Sequence, residues 1–305
     1  MLCFVRLHSP TSYRGVDIEF YTGSLLKHFS NYGEHLLELV VITVVKSDVS
    51  GFLRTLRSVK GQSVNVKWRV VNPKEDIEIR ETLNHLMIEG VIERLLDDEG
   101  AGVYQAMNKA VLEAEPSEWL WFLNAGDEFA ADDTYKKVLS KISEGDSRWL
   151  FGGHILMAEN GDFLGSRNSP LSVIPQKQLF ASDYVSHQGV VMEAGFINEL
   201  GNFNTGLKIA ADWELIVKAC LVDSGNRIEQ PIAVFHMGGL STRGRQISNA
   251  ELLQLRSEYL SSRYVIKSYS WYLYRGIRNL IVMKLENSFP DGLNLVRKFR
   301  LKNKI

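Results

Sequence analysis

Cysteine is nearly missing from this chain: two residues, Cys3 and Cys220, in 305. That excludes a disulfide-stapled secreted scaffold and a thiolate zinc cluster, and it predicts a reducing compartment, the cytoplasm. Long apolar runs are missing too. The longest near a strand signal, Leu39 to Val45, falls far short of the roughly 20 residues of a spanning helix, and the first residues lack the apolar core of a signal peptide. There is no excess charge of either sign: 35 Lys and Arg against 36 Asp and Glu leave a net charge of -1, which argues against a nucleic-acid partner. Neither a G-x-G-x-x-G fingerprint nor a G-x-x-x-x-G-K-[ST] loop occurs, so dinucleotide-driven redox chemistry and P-loop ATP chemistry are disfavoured. No internal repeat or low-complexity tract is present.

What is present is an ordinary globular composition, 45% hydrophobic and 23% charged, with a strong alternation of element types. Leu39–Val45 is a continuous β-branched run, as in a strand covered on both faces. Gly51–Lys60 carries apolar residues at helical spacing and stops at Gly61. Val66–Val71 predicts a second strand, Ile77–Glu89 a helix, Val91–Leu96 a third strand, Val103–Ala114 a helix, and Trp119–Leu123 a fourth strand. This tempo predicts βαβ units and a mainly parallel sheet flanked by helices, whose ligands bind beyond the carboxyl ends of the strands.

The residues that end those strands are therefore the candidates. WLWFLNAGDEF (119–129) delivers Asp127 and Glu128 just after a small Ala-Gly pair. A carboxylate there can hold a hard divalent cation that neutralises a diphosphate; equally, Asn-Ala-Gly-Asp is a turn sequence. Asp212 opens a helical pattern over Trp213–Leu221, as a general base or simply as a helix-opening residue. In YQAMNK (104–109), Met107 reads as core, with Asn108 and Lys109 at the sheet ends or in solvent. Arg243 and Arg245 read either as a phosphate clamp or as a solvated basic turn.

ITVVKSDVSGFLRTLRSVKGQS, GAGVYQAMNKAVLEA and EWLWFLNAGDEF, followed by SHQGVVMEAGF, LGNFNTGLKIAADWELIVKA and PIAVFHMGGLS, resemble the successive blocks of family 2 glycosyltransferases with the GT-A fold. The match, over roughly residues 39–260, is to the branch that builds bacterial surface polysaccharides. The resemblance implies a GT-A domain over 39–262, with a nucleotide-sugar half (39–130) and an acceptor half (131–262). It also implies an inverting transfer from a nucleotide-sugar donor, most simply a UDP-sugar, to a saccharide or lipid-linked acceptor. By the same resemblance, Asp127 matches the metal-binding acid for manganese or magnesium, and Asp76 the acid that holds the nucleoside. Asp212 matches the catalytic base, His187 and Gln188 the acceptor block, and His236 to Ser241 the loop over the donor. Asn108, Lys109, Asn124 and Arg243 fall at donor-contacting positions. His236 reads either as an extra metal ligand or, as a lone histidine beside two glycines, as a loop residue. The pattern is depleted: Asn72, Gly100, Asn124 and Gly126 stand where the family commonly carries acids. A catalytically inactive nucleotide-sugar-binding scaffold subunit is thus the alternative.

Residues 1–38 read as an extension. Residues 263–305 read as a basic, aromatic helical appendage, with ten Lys and Arg against Glu286 and Asp291. That is a local charge of +8 interleaved with Trp271, four tyrosines, Phe289 and Phe299, and it leaves -9 on the rest of the chain. It suits an anionic membrane surface and a peripheral location on the inner face of the membrane; a helix packed on the body with a solvated basic face fits the same pattern.

Overall fold

The computed structural model describes residues 37–180, 184–237, 245–262, 266 and 270. The chain divides into the units Met1–Leu36 and Leu37–Ile305, and every described residue belongs to the second. Almost all of the expected extension, the segment 263–305 apart from two positions, and Arg243 lie outside the described residues.

In chain order the elements are β1 (Leu39–Val44), α1 (Val49–Lys60), β2 (Lys67–Pro73), α2 (Ile77–Ile88), β3 (Arg94–Asp98), α3 (Val103–Leu112) and β4 (Trp119–Phe122). Next come β5 (Glu128–Phe129), α4 (Thr134–Ser143), β6 (Trp149–Met157), β7 (Phe163–Arg167), α5 (Pro175–Phe180), a 3-10 turn (His187–Gly189) and β8 (Val190–Glu193). The remainder is α6 (Ala194–Glu199), α7 (Ala211–Val222), β9 (Asn226–His236) and α8 (Arg245–Tyr259).

Among the described residues the strands form one sheet in the order β3-β2-β1-β4-β8-β6-β9-β5, with β7 added on β6. β1, β2, β3 and β4 run parallel, as their alternation with helices predicts. Beyond β4 the pairing turns antiparallel through β8 and β6, while β9 lies parallel to β6. The order reverses at β1, where β2 lies on one side and β4 on the other, and such a switch point opens a crevice at the strand ends.

The continuous apolar run of β1 has a direct cause. Leu39 and Val41 point into a cluster with Phe52, Ile79, Leu83 and Val138, from α1, α2 and α4. Val40 and Ile42 point into the opposite cluster with Met107, Val111, Phe196 and Ile216, from α3, α6 and α7. Period-2 alternation thus feeds two cores from one strand, and both faces must be apolar.

One predicted boundary moves. The third strand begins at Arg94, not Val91, and runs on to Asp98. Gly90 takes φ 71, and the amides of Val91 and Ile92 both donate to the Leu86 carbonyl. These two apolar residues are consumed in closing α2, and β3 carries its acids into register with Asn72 and Pro73.

Candidate active site

The first half of the site is built at the ends of β1 and β2. Ser47 takes a left-handed φ of 54, which turns its amide toward α2. There the Asp76 carboxylate accepts from the Ser47 amide at 2.7 Å and from the Asn72 side-chain amide at 2.9 Å. Asn72 also donates to the Val45 carbonyl at 3.1 Å, so the residue standing where an acid was expected ties two strand ends together. Beside this knot lies a cleft of about 540 Å³ lined by Lys46, Ser47, Pro73, Asp76, Glu99 and Gly100.

The second part is the turn between β4 and β5. Thr55, fully buried on α1, holds it: its hydroxyl donates to the Asp127 carbonyl at 2.8 Å and accepts from the Gly126 amide at 3.0 Å. Gly126 sits at φ 101 with the Gly51 Cα 4.0 Å from where its Cβ would lie. A side chain there would be strained, which is why the turn needs glycine. Asp127 is buried. Burial pushes its carboxyl up to about 8, and the adjacent Glu128 charge adds to this; a hydrogen bond from Gln188 and the Arg54 charge act against it.

Glu128 contacts His236 at 2.6 Å through His236 Nε2. The pairing of β5 with β9 sets this contact, placing Glu128 opposite Val234. His236 Nδ1 is buried without a hydrogen-bond partner, as is Asn124 Oδ1. Among the described residues no three His, Cys, Asp or Glu side chains converge as a cation cage. Asp127 and the orphaned His236 nitrogen are the groups of these segments that could each serve a hard cation, with the other positions left to ligand oxygens and water.

The third part comes from the other half of the chain. Asp212 lies in the first turn of α7, and Tyr104 on α3 donates to it at 3.0 Å. Burial pushes the Asp212 carboxyl up to about 6, against the opposing Tyr104 hydrogen bond. His187 lines the same small internal space as Asp212, together with Phe122 and Phe203. Its Nε2 has no partner, and burial lowers its imidazole to about 4, so it is neutral at ordinary pH. Gln188 is next in the chain, bonds Asp127 through its side chain, and accepts from the Trp121 indole at 2.7 Å through its backbone carbonyl. The 3-10 turn at 187–189 thus reaches both Asp127 and Asp212, two sites 85 residues apart in sequence.

Of the two alternatives expected for Asn108 and Lys109, sheet ends or solvent, Lys109 takes the second, while Asn108 turns to a neighbouring loop. Both amide atoms of Asn108 are spent on the Phe203 backbone, at 2.8 and 2.9 Å. Lys109 pairs with Glu113 at 2.8 Å, and Glu113 is held by Arg94, the first residue of β3. The rise of α3 has carried Lys109 to the opposite end of the sheet. Thr55, Arg54 and Tyr104 join the site without any local signal in the sequence, whereas Glu128 adjoins Asp127 and is visible in the motif.

No family model matches the chain. A protein of Mycobacterium tuberculosis named as an uncharacterized glycosyltransferase is 27% identical over 70% of this chain and 88% of its own length. Among solved structures, S. aureus TarS 1-349 in complex with UDP-GlcNAc superposes with a TM-score of 0.57 at 16% identity, covering 85% of this chain and 76% of that one. In another TarS 1-349 structure the chain spans 64% of the length, just under two thirds. The mannosyltransferase PcManGT from Pyrobaculum calidifontis, in complex with GDP-Man and Mn2+, superposes with a TM-score of 0.54 at 14% identity over 87% of this chain and 80% of that one. These likenesses establish the fold as the GT-A type of α/β architecture.

Proposed function

We propose that the chain is a glycosyltransferase of the family 2 type, moving a sugar from a nucleotide diphosphate donor to a saccharide or lipid-linked acceptor with inversion. The observation that carries this reading is that Asp127 and Asp212, from opposite halves of the chain, both reach the His187–Gln188 turn: Asp127 by a hydrogen bond with Gln188, Asp212 by the internal space it shares with His187. One carboxylate suits a donor diphosphate and the other an incoming hydroxyl. The curated relatives named glycosyltransferase and the nucleotide-sugar complexes among the structural neighbours support it.

In this mechanism the nucleoside lies in the cleft beside Asp76, whose carboxylate already fixes the ends of β1 and β2. Asp212, ionised above a pH of about 6, takes the proton of the acceptor hydroxyl as the oxygen attacks the anomeric carbon. The bond from that carbon to the diphosphate oxygen breaks as the new one forms, which inverts the centre. Tyr104 holds the base by its hydrogen bond, and neutral His187 lies alongside without competing for the proton. Asp127 and His236 Nδ1 are the residues that would hold a divalent cation, manganese or magnesium, which when bound neutralises the departing diphosphate. The acceptor lies near His187 and Gln188. A lipid-linked acceptor in surface-polysaccharide synthesis, reached by the basic segment 263–305 at an anionic membrane, completes the proposal.

The test is nucleoside diphosphate release from UDP-N-acetylglucosamine and from GDP-mannose in manganese. Turnover that is lost in both Asp127→Ala and Asp212→Asn is expected. Binding of either donor with no turnover would replace the transferase reading with that of an inactive scaffold.

A further inference from the structure

Glu251 on α8 makes an unusual set of contacts with the chain leading into α7. One carboxylate oxygen accepts from the Lys208 amide at 2.7 Å; the other accepts from Ile209 at 2.9 Å and Ala210 at 3.0 Å. Three successive backbone N–H groups converging on one anion form a nest. This nest sits at the threshold of α7. Ala210 is the residue that caps α7, and it has no side-chain oxygen to satisfy the free amides of the first turn. Glu251 ties down from a distant helix the three residues that lead into α7, whose first turn carries Asp212 and Glu214, and Asp212 is two residues beyond the last of them.

We propose that Glu251 is a positioning residue for sugar transfer: it clamps residues 208–210, fixes the entry of α7, and thereby aims Asp212 while placing a negative charge beside it. The inference rests on the reading of Asp212 as the base. Among the described residues, Tyr104 approaches Asp212 from α3, His187 from the 3-10 turn and the Glu251 charge from α8, and the Trp213 amide and its own amide bond its carboxylate. Glu214, on α7 too, is paired instead with Lys218 at 3.1 Å. Burial is the main cause of the raised Asp212 carboxyl; Tyr104 opposes it and the Glu251 charge reinforces it. The Trp213 and Asp212 amides oppose it as well, so Tyr104 and Glu251 act on this carboxyl in opposite directions, with the Glu251 charge the smaller influence.

The experiment uses the full chain and the variants Glu251→Gln, Tyr104→Phe and Asp212→Asn. Gln keeps the shape of Glu251 but loses the charge and one of the two accepting oxygens. The Asp212 carboxyl, followed by NMR in protein labelled at aspartate carboxyl carbon, is expected to titrate at lower pH in Glu251→Gln and at higher pH in Tyr104→Phe. Release of UDP from UDP-N-acetylglucosamine, or of GDP from GDP-mannose, is expected to fall roughly ten- to a hundredfold in kcat for Glu251→Gln, with a much smaller change in KM for the donor. An unmoved Asp212 titration, or an unchanged kcat where the parent turns over, overturns the proposal even if the thermal midpoint drops. Full turnover in Asp212→Asn overturns instead the base assignment on which the proposal rests, so the two failures are distinguishable.

Discussion

The most direct physical consequence of the site is that Asp212, the base of the proposed transfer, is held at a cost to folding. Asp212 has an ordinary carboxyl value of 3.8, raised by burial to about 6 in the folded chain. Because the folded state prefers the protonated form, the contribution of this group to stability is complete below the unfolded value. It declines as pH rises between about 4 and 6 and is lost above that. A shift of about two pH units corresponds to about 3 kcal/mol at 1.36 kcal/mol per unit. Asp212→Asn removes the charge, keeps an oxygen to accept from Tyr104, and should recover most of that energy at pH 7 and above. For a chain of this size, that is a rise of roughly 6–10 °C in the unfolding midpoint. The assay is thermal unfolding of parent and variant in a chelator from pH 4 to pH 8, with Asp127 and every other group common to both. The expected result is a difference near zero at pH 4 that grows through pH 6 and then levels, in a protein that no longer turns over its donor. Equal midpoints at pH 8, or a gap that persists unchanged at pH 4, would refute the argument that Asp212 is a desolvated base.

Two other buried polar groups give further expected outcomes. Arg69, whose side chain is 5% exposed, makes paired hydrogen bonds to Glu118 at 2.6 and 2.7 Å. Arg69→Met leaves that carboxylate buried without its cation, and denaturant unfolding should show a loss of about 3–5 kcal/mol; adding Glu118→Leu should restore most of it. Thr55→Val keeps the shape of the hydroxyl's hub beneath the 124–127 turn but strands the Asp127 carbonyl and the Gly126 amide. Unfolding free energy should fall by about 1–3 kcal/mol, and calorimetric affinity for UDP-N-acetylglucosamine should weaken with it; a variant as stable and as tight as the parent would show that the turn is held by other contacts.

The local elements were legible because their causes are local. β1 had to be apolar at every position, since alternate residues feed cores on both faces, and an unbroken run of that kind can be read directly. The helices α1, α2 and α3 announced themselves by spacing. Val91 and Ile92 misled because apolar residues at a helix exit look the same as apolar residues in a strand. What separates them is a pair of hydrogen bonds to Leu86 through the left-handed Gly90, and composition does not record that.

At the site, the acids at strand ends could be picked from sequence, because strand ends are where an α/β sheet exposes polar groups. Their partners could not. Tyr104 meets Asp212 across 108 residues, Gln188 reaches Asp127 across 61, and Glu251 holds the approach to a helix that starts 40 residues earlier. Such contacts leave no periodic trace, since any residue type that can donate or accept satisfies them and nothing in the neighbouring chain marks the choice. Between residues 39 and 123 the sequence by itself determined the alternation of strands and helices, and which carboxylates sit at those strand ends, because both follow from periodicity and from where polar residues interrupt it; the start of the third strand and the elements after Leu123 apart from the helix at Trp213–Leu221 did not follow from it. Only the tertiary structure decided that Asn108 bonds the Phe203 backbone and Lys109 pairs with Glu113, that the His187–Gln188 turn reaches both Asp127 and Asp212, and that Glu251 binds the three amides leading into α7. Those outcomes depend on which elements the sheet order makes neighbours, and that order is set by the whole core at once.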